Sequence, residues 1–242
     1  MHRFYTEQQK DDLLLLGPED TRHALQVLRM KPGDPAEVIS QGQRYSVSVA
    51  DTSGTALGMK ILSPLPSTEP TLRVTLFQGL PKADKMELII QKATELGAER
   101  IVPVQMERCV VRLDSRDAEK KRERWQKIAR EAGKQSCRCL QPQVDLPVTL
   151  KALTGMLSGF DAVLVPWEDA RGTGPQTFAR AHPDIHRVAV IIGPEGGISA
   201  GEIELLKIAG AQPLTLGPRI LRTETAGLAA ISALLCLYGE ME

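Results

Sequence analysis

Val188-Ala189-Val190-Ile191-Ile192-Gly193-Pro194-Glu195-Gly196-Gly197-Ile198-Ser199 decides the fold class. Its first five residues read as a buried strand. Residues 193–197 then read as a tight turn into a helix that Ser199 caps, with Glu202 three residues on. The same order recurs along the chain. A strand at 72–77 leads to a helix whose Met86, Ile89, Ile90, Ala93 and Leu96 share one face. Asp84 and Glu87 form a capping-box pattern at its start, and Gly97 stops it. Residues 101–104, 162–165 and 214–216 read as further buried strands. Alternation of this kind predicts an α/β domain with a mostly parallel sheet.

The second loop of interest is Leu216-Gly217-Pro218-Arg219-Ile220-Leu221-Arg222-Thr223-Glu224-Thr225-Ala226, which opens the last helix. From 226 to 238, eleven of thirteen residues are apolar, so that helix is expected to be covered all round. Either a central place in the core or a self-association interface would cover it.

Outward from these loops, the chain divides at Ser63-Pro64-Leu65-Pro66-Ser67-Thr68-Glu69-Pro70, which reads as a stiff linker. Before it, short strands at 35–39, 44–50 and 55–62, with turns at Gly42 and Gly54, suggest a small β-barrel or meander. A helix over 19–30 interrupts them. At 242 residues, two units of unequal size fit the usual ~150 residues per domain.

Thirty basic residues balance thirty acidic ones, so any nucleic-acid surface must concentrate its charge locally. Residues 108–138 do so, with eleven Lys or Arg against five Asp or Glu. Part of that segment is an amphipathic helix, its apolar stripe at Ala118, Trp125, Ile128, Ala129 and Ala132, with Glu123 and Lys127 spaced to pair. No apolar run approaches a membrane span and no signal-peptide pattern opens the chain, so a cytoplasmic protein is expected. Cys109, Cys137, Cys139 and Cys236 make neither a disulfide framework nor a zinc set, and His182-x-x-x-His186 has Pro183 inside it. No metal is expected.

Both loops follow strands, where ligands of α/β sheets collect. The dinucleotide fingerprint and the P-loop lysine are absent, and Glu195 stands where a phosphate would need positive charge. The pattern therefore favours a cationic or neutral ligand held largely by backbone groups.

Together, residues 193–197 and 216–226 closely resemble the motifs of the RsmE-type 16S ribosomal RNA (uracil-N3)-methyltransferases, of the SPOUT class. Arg3-Phe4, His23, Leu28-Arg29, Lys82 through Gly97, Arg108, Arg124-Trp125 and Gln135-Ser136 extend the likeness over nearly the whole chain. Cys137 departs from it, because a small residue such as glycine is expected there. The resemblance implies a PUA-like RNA-binding β-barrel over 1–68. It implies a SPOUT domain over 71–242, its parallel sheet closed by a C-terminal trefoil knot. It also implies a homodimer with each active site at the subunit interface.

S-adenosyl-L-methionine would be held by Leu164, Val165, Pro166, Gly193, Pro194, Glu195, Gly196, Leu216, Gly217, Arg219, Ile220, Leu221 and Thr223. Arg222 is the candidate catalytic cation, stabilising charge on a uracil whose N3 proton is lost, with Glu224 or Glu195 accepting that proton. Arg3, His23, Arg29, Lys82, Lys85, Arg108, Arg112 and Arg138 are the candidate contacts to 16S ribosomal RNA, within the assembled small subunit. Two rivals stay open: methylation of another RNA position, such as a ribose 2′-hydroxyl, and a non-catalytic RNA-binding assembly factor. A dinucleotide-dependent enzyme is disfavoured by the missing fingerprint.

Overall fold

The computed structural model describes residues 2–51 and 56–242. The chain forms two compact units, residues 1–69 with 137–140, and residues 70–136 with 141–242.

The first unit is built on a six-stranded sheet. In chain order its strands are β1 (His2–Tyr5), β2 (Gln9–Lys10), β3 (Leu13–Leu15), β4 (Pro35–Ser40), β5 (Gln43–Asp51) and β6 (Gly58–Leu65); in space they run β1-β4-β5-β6-β3-β2. Among the described residues only the β1–β4 pair is parallel. Alternate residues of these strands, among them Phe4, Leu14, Val38, Val47, Val49 and Met59, meet Leu16, Ala24 and Leu57 in one core. The helix α1 (Pro18–Arg22) continues as a wider, π-type turn over His23–Val27, shorter than the reading from sequence. The turn expected at Gly54, with Thr55 at the head of the third strand, lies outside the described residues.

Two expectations are corrected here. Residues 63–65 are strand rather than linker. The neighbouring β3 reaches only as far as Lys60, which leaves that end of β6 paired on one side alone, and Pro64 can sit on such an edge opposite Tyr45. Residues 137–140 also belong to this unit, not to the second domain. The Glu69 carboxylate draws them in, accepting from the backbone N–H groups of Cys139 (2.6 Å) and Leu140 (3.0 Å) and from the Arg138 guanidinium (2.6 Å). Cys137 has φ +66°, the left-handed region, which accounts for the small residue expected there.

In the second unit, β7 (Arg73–Gly79), α2 (Lys85–Leu96), β8 (Arg100–Gln105) and α3 (Ser115–Gln135) come first. They are followed by β9 (Gln143–Val144), β10 (Val148–Thr149), α4 (Leu150–Met156), β11 (Ala162–Pro166), α5 (Pro175–Ala181) and β12 (Arg187–Ile192). The chain ends with α6 (Ala200–Ile208), β13 (Gln212–Leu214) and α7 (Thr223–Leu237). The sheet order is β10-β8-β7-β12-β11-β13, with β9 beside β8, and every pairing is parallel. An α/β fold with a parallel sheet is thus observed. Central strands such as β12 are apolar and buried almost throughout, as in a parallel sheet covered on its faces. Met86, Ile89, Ile90 and Ala93 of α2 and Trp125 and Ala129 of α3 are buried in the same core.

Ser199 caps α6 in a complete capping box with Glu202, as its spacing predicts. The Asp84–Glu87 pattern does not close: Asp84 makes no side-chain cap, and Glu87 instead accepts from Arg124 of α3 at 2.8 Å. The strand expected at 214–216 ends at Leu214, two residues early. On α3, Glu119 pairs with Arg122 and Glu131 with Lys134, rather than Glu123 with Lys127, among the described residues. Helix α7 is covered on one side only. Gly227, Ala230, Ile231, Leu234 and Leu235 are buried, while Leu228, Ala229, Ser232 and Ala233 are half-exposed and Leu237 is exposed. No helix among the described residues is long and apolar enough to cross a membrane.

Candidate functional site

Parallel strands end on one side, so the loops after β7, β8, β11, β12 and β13 gather along a single edge of the sheet. The loop after β12 is seated by close packing. A Cβ on Gly79, the last residue of β7, would lie 2.6 Å from the Pro194 nitrogen, and one on Gly193 would lie 2.8 Å from Ile198. Beneath the loop runs a short polar chain. Gln78, fully buried, donates its amide N–H to the Thr223 hydroxyl (2.8 Å), which in turn donates to the Gly193 carbonyl (2.7 Å). Strand β7, the glycine loop and the start of α7 are locked together there. Sequence reasoning missed Gln78, although an amide inside an apolar strand is a visible signal.

A second set of bonds fixes the outer side of the glycine loop. Arg108 donates to the Gly196 carbonyl at 2.9 Å. The Ser199 hydroxyl donates to Glu107 at 2.6 Å, and the Glu107 N–H donates to Glu202 at 2.8 Å.

A cleft of about 680 Å³ opens between residues 166–172 and 215–221, and Ala226 closes one wall. Of the residues expected to hold a cofactor, Pro166, Leu216, Gly217, Arg219, Ile220 and Leu221 line it. Leu164 and Val165 do not; they are buried inside β11. Gly193, Pro194, Glu195, Gly196 and Thr223 stand outside the lining, at the neighbouring loop. Glu168 and Asp169 line the cleft and were not foreseen, although two adjacent acids directly after a strand and a tryptophan are legible in sequence. A Cβ on Gly197 would lie 2.9 Å from the Glu168 carboxylate, so this acid sits against the glycine loop as well.

These residues suit a ligand such as S-adenosyl-L-methionine. The volume falls within the few hundred to ~1,000 Å³ of small-molecule sites. The lining sets Glu168 and Asp169 beside Arg171 and Arg219, which suits a ligand carrying charges of both signs, and Ile220 is an 87% exposed apolar side chain that a bound group can cover. Among the described residues no group of three His, Cys, Asp or Glu could hold a metal ion.

Beside the cleft, the Lys85 ammonium lies 3.2 Å from Glu195 and 3.2 Å from Glu224. Burial raises the Glu195 pKa, but its own N–H, the Lys82 N–H at 3.1 Å and Lys85 outweigh this and leave it below the ordinary carboxylate value. Glu224 is lowered first by its own N–H, against some desolvation, and then by Lys85 and Arg222. Lys85 is raised by the hydrogen bonds to Glu195 and then Glu224. The sign of the pH dependence follows. The acids contribute stability that is full above their unfolded pKa of about 4.3 and is lost as pH falls through the lowered values. The lysine's share is full below its unfolded pKa and is lost as pH rises through the raised one. The Tm penalty of Lys85→Ala is therefore expected to be constant across neutral pH and to vanish on acidification below pH ~4. A scan of both proteins against pH checks it; a penalty that grows in acid would refute the pairing.

Arg222 is exposed at the start of α7, and its side chain makes no hydrogen bond or ion pair among the described residues. The candidate RNA contacts divide. His23, Arg29, Lys82, Arg108 and Arg112 are exposed, with Arg108 and Arg112 also bonded to backbone carbonyls. Arg3 is half-buried and donates to Glu37 at 2.8 Å. Arg138 is a correction: it is 4% exposed and bound to Glu69, so its charge is spent inside the protein rather than offered to RNA.

A family model described as an RNA methyltransferase domain matches residues 68–235. The ribosomal RNA small subunit methyltransferase E of Bacillus subtilis is 36% identical, covering 97% of this chain and 96% of its own. The protein of the same name from Mycobacterium bovis is 33% identical, over 87% of this chain and 81% of its own. A crystal structure of the ribosomal RNA small subunit methyltransferase E of Neisseria gonorrhoeae, bound to S-adenosyl methionine, superposes with a TM-score of 0.80 at 32% identity, covering 98% of each chain.

Proposed function

Because the chain belongs to the RNA methyltransferase family, among the ribosomal RNA small subunit methyltransferase E proteins, we propose that it transfers a methyl group from S-adenosyl-L-methionine to 16S ribosomal RNA. The observation that carries this reading for the chain itself is the cleft between residues 166–172 and 215–221, of a size for a small molecule, with Glu168 and Asp169 beside Arg171 and Arg219 in its lining and Leu221, the chain neighbour of Arg222, in its wall. The finer proposal is that the acceptor is N3 of a uridine.

The cofactor supplies, when bound, an electrophilic sulfonium methyl. Pro166, Leu216, Gly217, Arg219, Ile220 and Leu221 would hold it, and Glu168 and Asp169 would stand toward its positive charge. Uracil N3 is a poor nucleophile while it keeps its proton. As that proton passes to solvent water, negative charge spreads onto the two carbonyl oxygens, where the Arg222 guanidinium offers a fork of donors. Glu224 and Glu195 are the nearby carboxylates. Held ionised first by backbone N–H groups and then by Lys85, they are weak bases, which suits orienting the donors better than keeping a proton. Bringing N3 and the methyl into line supplies much of the remaining rate.

The N-terminal unit is proposed as a PUA-like RNA-binding barrel, which its six-stranded, mostly antiparallel sheet supports. The C-terminal trefoil knot is proposed on the course of the chain after β13. Trp167 N–H donates to the Leu214 carbonyl and Thr215 N–H to that of Thr173, so residues 214–215 are bonded to both sides of the 168–172 loop. A homodimer is proposed to cover the open face of α7. His23, Arg29, Lys82, Arg108 and Arg112 are proposed to meet the RNA, in the assembled small subunit.

The test is incubation with methyl-labelled cofactor and small ribosomal subunits lacking the modification, followed by digestion to nucleosides. Label in 3-methyluridine is the expected result. Label in a 2′-O-methyl nucleoside would replace the N3 assignment, and RNA affinity without any transfer would replace the enzyme with a binding factor.

A further inference from the structure

Lys85 stands at the first position of α2, where its charge looks available to an RNA phosphate. The structure gives that charge another use. Its ammonium touches Glu195, in the loop after β12, and Glu224, in the first turn of α7, at 3.2 Å each. The loop before α2 joins in, since the Lys82 N–H donates to the same Glu195 carboxylate. Three segments that meet at the edge of the sheet are thus tied at one nitrogen. One carboxylate would neutralise the lysine; two leave none of its charge to draw a phosphate. Around it stand Arg222, which acts on Glu224, and the exposed Lys82.

On the reading that this chain is a methyltransferase, we infer that Lys85 is a positioning residue of methyl transfer and not a phosphate contact. By holding Glu224 it fixes the first turn of α7, from whose cap Arg222 projects. By holding Glu195 it fixes the glycine loop against which Glu168 of the cleft rests. The ammonium moves no proton and touches no reacting atom; it keeps the cleft and the catalytic cation in one register.

The test compares the full-length parent with Lys85→Ala and Lys85→Arg. Affinity for 16S ribosomal RNA is measured against salt, S-adenosyl-L-methionine affinity by calorimetry, and transfer as kcat and KM. Loss of a phosphate contact flattens the slope of log affinity on log salt by about 0.7–0.9. Positioning predicts an unchanged slope and an unchanged KM for RNA, with kcat down by about 10²-fold in Lys85→Ala and partly restored in Lys85→Arg. A flattened slope overturns the inference, and so does a kcat close to that of the parent. Should Lys85→Ala fail to fold, Lys85→Met keeps the apolar stem and serves instead. A parent that transfers no methyl refutes the proposed function. Lys85 is then judged by the salt slope together with the thermal-stability coupling between Lys85→Ala and Glu224→Gln, which the tie requires and a phosphate contact does not.

Discussion

Arg222→Ala is expected to lower kcat for methyl transfer by about 10²–10³-fold while leaving the protein as stable as the parent to within ~0.5 kcal/mol. The two halves of this expectation come from the same geometry. Arg222 is exposed, with extended backbone angles (φ −66°, ψ 156°), and its side chain neither caps α7 nor bonds elsewhere among the described residues. Removing it takes away no packing and leaves no buried partner stranded. In the proposed reaction its donors, next in the chain to Leu221 of the cleft wall, are free to meet the charge that develops on the base. A preorganised donor aimed at developing charge is commonly worth two to three orders of magnitude. Arg222→Lys keeps the charge but loses the fork, so it should recover only part of the rate. The readout is single-turnover transfer at saturating cofactor, beside thermal melts of the same samples. A rate within threefold of the parent would remove Arg222 from the mechanism, and a large drop in Tm would make its role structural.

Gly79→Ala is expected to damage the site by the opposite route, through packing. The added methyl would sit 2.6 Å from the Pro194 nitrogen, 2.7 Å from its Cδ and 2.9 Å from the Gly193 carbonyl carbon. None of these atoms belongs to a side chain that can swing aside. Strand β7 cannot retreat either, because it is paired with β8 on one side and β12 on the other. Overpacking of this kind costs about 1–3 kcal/mol or more, equivalent to a Tm lower by roughly 5–10 °C. What gives way is the loop at 193–197, so cofactor affinity should fall at least tenfold by calorimetry. Gly155→Ala is the matched control: it lies within α4 with nothing near its would-be Cβ, and alanine there should stabilise by about 0.5–1 kcal/mol. Unchanged melting and binding in Gly79→Ala would mean that the glycine loop is free to shift and does not shape the cleft.

How far the sequence could be read depended on the range of the interaction involved. The Ser199–Glu202 box was legible because both partners lie within one turn and α6 has no competitor for them. The identical pattern at Asp84–Glu87 failed because Glu87 has a better partner, Arg124, on another helix. Arg138 shows the same limit for charge. It counts toward the basic surplus of residues 108–138, yet its partner Glu69 lies 69 positions earlier and removes it from the surface. Lys85 is the most consequential case: nothing near it in sequence marks it as shared between a loop and a helix start more than a hundred residues downstream. Even the edge of β6 was hidden, since whether Pro64 breaks a strand depends on how far the neighbouring β3 extends.

By itself the sequence determined the α/β class, the loop after residue 215 that lines one side of the cleft, and the family. These rest on apolar periodicity and on contiguous motifs, which are properties of neighbouring residues. Only the tertiary structure decided which members of those motifs line the cleft, that Glu168 and Asp169 join them, that residues 137–140 belong to the N-terminal unit, and that two glutamates share one lysine. Those are choices of partner between segments far apart in the chain. A charge or a donor takes the best-placed partner that folding brings to it, and that geometry exists only once the strands are in register.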